Sequence, residues 1–227
     1  MINKQGPGKI DWTDWTWNPI SGCLHGCPYC YMNRMEKRFK GIMEPKFHPE
    51  RLEEMRRSKK VKPGDKVFVG SSGDMWGDWV NHGWIMKVLE VAILKPSVIF
   101  QFLTKNPDAY HGWAVSENMW FGTTVDGADR TMGNIGKLIG ALSSANCTVK
   151  KFCSFEPLLD FPVVETPFIE KLDWIIIGAD STRGAKRPPQ KWADWLIEIA
   201  REYNIPVWVK DNYGYPEVIK EFPNAKG

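Results

Sequence analysis

Three cysteines fall within eight residues, in the run Cys23-Leu24-His25-Gly26-Cys27-Pro28-Tyr29-Cys30. Thiolates spaced Cys-x3-Cys-x2-Cys can hold three irons of a four-iron cluster and leave the fourth without a ligand from the motif. An open iron is of no use for simple electron transfer, but it accepts the amino and carboxylate groups of a small molecule. Reducing such a cluster beside a bound sulfonium breaks a carbon–sulfur bond. The same residues admit a structural zinc site with His25 as fourth ligand. Zinc motifs usually come as two separated pairs, however, and Cys147 and Cys153 do not form a tight pair. His25 also lies between two of the cysteines, which makes joint ligation awkward.

The chain around this loop alternates short apolar runs with helix-period stretches. Strands are predicted near Thr16 to Ile20, at Val67-Phe68-Val69-Gly70, Val98 to Leu103, Met119 to Gly122, Lys151 to Phe155, Trp174 to Gly178 and Val207 to Lys210. Helical faces are predicted from Trp84, Ile85, Val88, Leu89, Val91 and Ala92, and from Trp192, Trp195, Leu196, Ile199 and Tyr203. Pro107 starts a short helix, and Ile135, Leu138, Ile139 and Leu142 keep helical spacing despite Gly133, Gly136 and Gly140. Strands that read as continuous apolar runs between helices mean a parallel sheet covered by helices. The expected fold class is α/β: a single domain over 1–227 forming a partial or complete parallel (β/α) barrel of TIM type, with about six to seven strands. A flat doubly wound sheet is the alternative. In either case ligands sit at the C-terminal strand ends.

Composition sets the outer bounds. With 227 residues, 43% apolar and 25% charged, the chain can bury a sizeable core. Twelve Trp residues point to wide packing seams or aromatic-lined pockets. No apolar run reaches membrane-spanning length and no secretory signal pattern opens the chain, so a cytoplasmic protein is expected. A net charge of +3 does not argue for nucleic acid by itself. The basic residues Arg34, Lys37, Arg38, Lys40, Arg51, Arg56, Arg57, Lys59, Lys60 and Lys62 cluster in one stretch, as a solvated helical face or a surface for a polyanion.

The Cys spacing, with Tyr29 immediately before the last Cys, resembles the signature of the radical S-adenosylmethionine (SAM) superfamily. The segments Thr13-Asp14-Trp15-Thr16-Trp17-Asn18-Pro19, Phe102-Leu103-Thr104-Lys105, Ser154-Phe155-Glu156-Pro157-Leu158-Leu159 and Leu172 to Gly178 resemble a phage-associated branch of it, similar in cysteine spacing to spore photoproduct lyase. The resemblance spans roughly Ile10 to Gly214. Asn81-His82 and Gly178-Ala179-Asp180 depart from it, standing where acidic residues or Gly-Glu are usual. It implies a [4Fe–4S] cluster on Cys23, Cys27 and Cys30, with S-adenosyl-L-methionine on the open iron. It also implies a flavodoxin- or ferredoxin-type reductant and a 5′-deoxyadenosyl radical that abstracts hydrogen from a substrate, with nucleic acid a candidate. The non-catalytic alternative is a zinc-stabilised module that binds nucleic acid or protein.

Polar residues at strand ends supply the remaining candidates. Tyr29, Ser71, Ser72, Asp74, Thr104, Thr123, Thr124, Ser154 and Asp180 are expected to bind cofactor. Asp74 would take a ribose hydroxyl or the ammonium, and Thr123 and Thr124 the methionyl carboxylate. Glu156, Lys105 and Lys210 are the candidate catalytic residues. Ser154 and Glu156 share one strand face, whereas Cys153 lies on the other and is expected to pack against a helix. Each residue taken singly also reads as an ordinary cap or loop residue, as do Ser181 and Arg183; His48 and His111 read as isolated histidines.

Overall fold

The structure is a computed structural model that describes residues 1–6, 8–145, 148–164 and 166–223. Cys147 lies outside the described residues. In chain order the elements are β1 (Ile2–Lys4), β2 (Trp15–Trp17), β3 (Ile20–Ser21), α1 (Tyr31–Arg38), β4 (Lys46–Phe47), α2 (Pro49–Arg57), β5 (Lys66–Val69), α3 (His82–Ile93) and β6 (Ile99–Thr104). There follow β7 (Met119–Thr124), α4 (Asn134–Ala141), β8 (Lys150–Phe155), α5 (Thr166–Ile169), β9 (Trp174–Ile177), α6 (Gln190–Glu202) and β10 (Val207–Val209). Pro107–Tyr110, predicted as a helix start, is a single 3-10 turn.

One eight-stranded sheet runs in the order β1-β2-β5-β6-β7-β8-β9-β10, and β3 pairs with β4 separately. From β2 to β10 every neighbouring pair is parallel, and β1 joins antiparallel at the edge beside β2. The α/β expectation is met, with more strands than the six to seven expected. The extra one is β1, whose Ile2-Asn3-Lys4 has one buried residue and no apolar run to betray it. Among the described residues β1 and β10 are both sheet edges, so the hydrogen-bond ladder does not close into a full barrel.

Period-two alternation gives the sheet two different faces. Val67, Val69, Phe100, Phe102, Phe121, Cys153, Phe155, Ile175 and Ile177 pack with Ile85, Val88, Leu89, Leu138 and Leu196 from the helices. Cys153 is therefore buried among helix-facing residues, pointing away from the strand-end side chains. The other face carries Phe68, Trp120, Phe152, Trp174, Ile176 and Trp208, joined by Trp12. Trp12 packs at 4.7 Å from Phe68, and Phe222 at 4.8 Å from Trp208. Each such burial contributes about 1.5–3 kcal/mol. Gly122 is required here, because a Cβ would stand 2.4 Å from the Phe152 ring. The aromatic filling blocks this face along the strands, so side chains that continue its period past the strand ends are the ones left to meet a ligand.

Candidate functional site

The cysteine loop is pinned to the sheet before it turns into α1. Gly22 forms a parallel bridge with Gly73, and its N–H donates to the Ser72 carbonyl at 3.0 Å. Both must be glycine: a Cβ on Gly22 would lie 2.1 Å from the Glu44 carbonyl oxygen, and one on Gly73 2.4 Å from that of Gly22. The Cys23 N–H then donates to Met43, and Asn33 of α1 donates its amide to the Cys27 carbonyl at 2.9 Å. Cys30 is the N-cap residue of α1. Glu36, on the same helix, accepts from the N–H groups of Gly41, Ile42 and Met43, which hold its carboxyl below the ordinary range.

Asp74 ties this loop to two strand ends. Its Oδ2 accepts from His25 Nε2 at 2.8 Å, from the Thr104 hydroxyl at 2.8 Å and from the Lys105 N–H at 3.1 Å, while Oδ1 accepts from the Trp76 N–H. The side chain expected to face a ligand is thus committed to four protein donors. His25 is turned toward Asp74 and stacks edge-on against Trp79, 4.8 Å between ring centroids.

A second anchor lies across the loop. The Tyr29 hydroxyl donates to Asp126, whose side chain is fully buried and also receives Arg130, the Thr131 hydroxyl and the Ala128 N–H. Lys105 Nζ stands 3.8 Å from the same carboxylate and 5.6 Å from the Tyr29 ring. Burial pushes the Tyr29 hydroxyl well above its usual range, so it remains a donor. Burial opposes ionisation of Asp126, yet the hydrogen bonds from Tyr29, Thr131 and Ala128 hold its carboxyl below the ordinary value. Asp126 and Arg130 are absent from the sequence-derived set. The available signal was the Asp-Gly pair two residues beyond the β7 end.

The third feature is an ion pair between Lys210 and Glu156, past the ends of β10 and β8. The strand between them ends in Gly178, where a Cβ would meet Glu156 Cδ at 2.9 Å and Lys210 Cδ at 3.0 Å. Glu156, Lys210 and Lys105 continue the period of the aromatic face, as do Thr124 and Ser154. Thr104 and Thr123 fall on the opposite period; the Thr123 hydroxyl donates to the Thr104 carbonyl. Ser71 and Ser72 bond to Asn18, and Asp180 accepts from the Thr182 N–H. The structure therefore joins Tyr29 with Lys105, and Glu156 with Lys210, but leaves Ser71, Ser72 and Asp180 in local loop contacts.

A cavity of about 580 Å³ opens beside Lys210, lined also by Gln5, Lys9, Asp11, Tyr31 and Ser181. Among the described residues no group of three or more His, Cys, Asp or Glu side chains converges as a formed metal site. Cys23, Cys27 and Cys30 are all free thiols, and burial raises the Cys23 thiol to about 11. Its ionisation is thus coupled to metal binding. The donor chemistry fits a three-thiolate iron–sulfur site: three sulfurs on one loop, with the histidine between them taken up by a carboxylate.

A protein-family model described as "Protein of unknown function (DUF5131)" matches residues 7–227. No curated protein matches. Among solved structures the chain is similar to spore photoproduct lyase complexed with dinucleoside spore photoproduct, at 13% identity and a TM-score of 0.50. It is also similar to mutants of that lyase, one with bound AdoMet and dinucleoside spore photoproduct (12%, 0.53) and one with dinucleoside spore photoproduct (13%, 0.54). Each alignment covers 92% of this chain and 78% of the other. At these identities the likeness establishes a shared fold.

Proposed function

The chain belongs to the DUF5131 family, and from that premise we propose that it is a radical SAM enzyme. The observation that carries the reading is the Cys23–Cys27–Cys30 loop, clamped by Asp74 and Asp126 against the C-terminal strand ends of a sheet shared with a lyase solved with bound AdoMet. On this reading the three cysteines hold a [4Fe–4S] cluster, which, once reduced, supplies the electron that cleaves S-adenosyl-L-methionine.

The chain's own residues position and shield. His25, held by Asp74, fixes the first turn of the loop, and Tyr29, held by Asp126, fixes the last. Thr124 and Ser154 offer hydroxyls on the ligand-facing period. Lys105 provides positive charge for a carboxylate, and the Glu156–Lys210 pair presents both charges at the mouth of the cavity beside Lys210. Trp12, Trp120 and Trp174 exclude water from beneath. The reading is of one unit over 1–227, in the phage-associated branch suggested by the motifs and fed by a flavodoxin- or ferredoxin-type reductant. Nucleic acid is the favoured substrate class, because the lyase of similar fold binds a dinucleoside lesion. Incubating the reconstituted, dithionite-reduced protein with S-adenosyl-L-methionine tests it. Release of methionine and 5′-deoxyadenosine is expected; neither product from a fully loaded protein would refute the reading.

A further inference from the structure

The helix that leaves the cysteine loop presents an unusual surface. α1 has one buried residue, Met32, and exposes Arg34, Lys37 and Arg38 with Lys40 just beyond. None of these four cations makes an ion pair among the described residues. The helix's only carboxylate, Glu36, is turned onto the N–H groups of Gly41, Ile42 and Met43 and does not offset them. Between the cations lie large exposed apolar side chains: Tyr31 at 44%, Met35 at 39% and Phe39 at 52%, with Leu24 of the cysteine loop itself at 55%. A groove of about 440 Å³ runs beside them, lined by Met32, Met35, Phe39 and Ile42 and rimmed by Lys46 and Arg51.

We infer that this face docks an acidic one-electron carrier protein of the flavodoxin or ferredoxin kind. The inference rests on the proposed cluster reading. Unpaired cations complement an acidic partner, and they ring an apolar centre containing Met and Arg, the composition of a protein–protein contact. Met35 and Leu24 have no flat ring on which a nucleobase could stack, whereas ssDNA grooves rely on such stacking. The patch lies on the segment that carries the three cysteines, so a docked carrier reaches the cluster through Leu24 and the first turn of α1. Electron entry there leaves the cavity beside Lys210 free for substrate. One electron leaves the carrier, which is oxidised by one unit, and enters the iron–sulfur centre; no bond forms or breaks in that step.

The test uses the reconstituted protein and a reduced flavodoxin of acidic net charge, reading both binding affinity and the second-order rate of cluster reduction. Arg34→Glu with Lys37→Glu should weaken binding and slow reduction about tenfold. Arg57→Glu with Lys60→Glu, an equal charge change on and just past α2, should alter either by less than about twofold. Reduction by dithionite should stay the same in all forms. Equal losses in both double variants, or none in either, would overturn the docking assignment. So would a patch variant that loses affinity for a DNA oligonucleotide while keeping its reduction rate. A wild-type protein that takes up no cluster, or cleaves no S-adenosyl-L-methionine with dithionite, would instead remove the functional reading on which the assignment stands.

Discussion

The Lys210 ammonium is ion-paired with the Glu156 carboxylate across Gly178, so the ends of β8 and β10 are joined over the strand that separates them. The pair exists only because the intervening residue has no side chain. Two charges expected to act at the site thus depend on a third residue that carries no chemistry.

Gly178→Ala should therefore separate the pair with little damage to the fold. A Cβ would meet only the stems of the two charged side chains, 2.9–3.0 Å away, and both can swing aside. Overpacking of this kind costs about 1–3 kcal/mol. The expected outcome is a loss of at least about tenfold in product formation, with cluster content unchanged by iron and sulfide assay. Wild-type turnover in the variant would show that the pair is structural only.

Asp74→Ala should be among the most destabilising single changes outside the core. It strips partners from the Thr104 hydroxyl, the N–H groups of Lys105 and Trp76, and His25. Orphaning buried donors costs about 1–3 kcal/mol each before relaxation, and a net loss of about 2–4 kcal/mol is expected. Urea unfolding of the cluster-free protein measures it. Asp74→Asn, which keeps the acceptor oxygen, should lose less than half as much.

Gln101 marks the opposite case. It is fully buried on the aromatic face, in register with Phe68 and Trp120, and both ends of its amide lack a partner among the described residues. Replacing it with Leu should raise stability by about 1 kcal/mol, since an unmet polar group is removed without loss of volume. An equally large drop on Gln101→Leu would mean that the amide is satisfied in solution.

The pH dependence follows from Asp126. Its folded-state value is depressed, so its contribution is present above the unfolded-state value of 3.8 and is lost as pH falls through the lower folded value. The urea midpoint of the wild-type protein should fall more steeply below about pH 4 than that of Asp126→Asn, which has no such titration. Parallel acid limbs would contradict this assignment.

The parallel strands were legible because strands buried on both faces are apolar runs: Trp174 to Ile177 is buried throughout. β1 and α1 were not. β1 is held by pairing with β2, not by its own pattern. α1 reads Tyr-Met-Asn-Arg-Met-Glu-Lys-Arg and buries one side chain, leaving no apolar stripe to find. At the site the three cysteines were plain from spacing, and Glu156 and Lys210 from their strand ends. Their mutual contact was hidden, because it depends on the order β8-β9-β10. Asp126 was hidden for a similar reason: its partner Tyr29 is 97 positions away. Asp74 and His25 were each noticed, one as a ligand contact and the other as a zinc donor, but their partnership requires the Gly22–Gly73 bridge that brings the two loops together.

The central claim is tested most directly by anaerobic reconstitution with iron and sulfide, followed by low-temperature EPR of the dithionite-reduced protein with and without S-adenosyl-L-methionine. The account predicts a reduced [4Fe–4S] signal that changes when the cofactor is added, and its loss in Cys27→Ala. A protein that assembles no cluster and instead holds stoichiometric zinc on Cys23, Cys27 and Cys30 would contradict it.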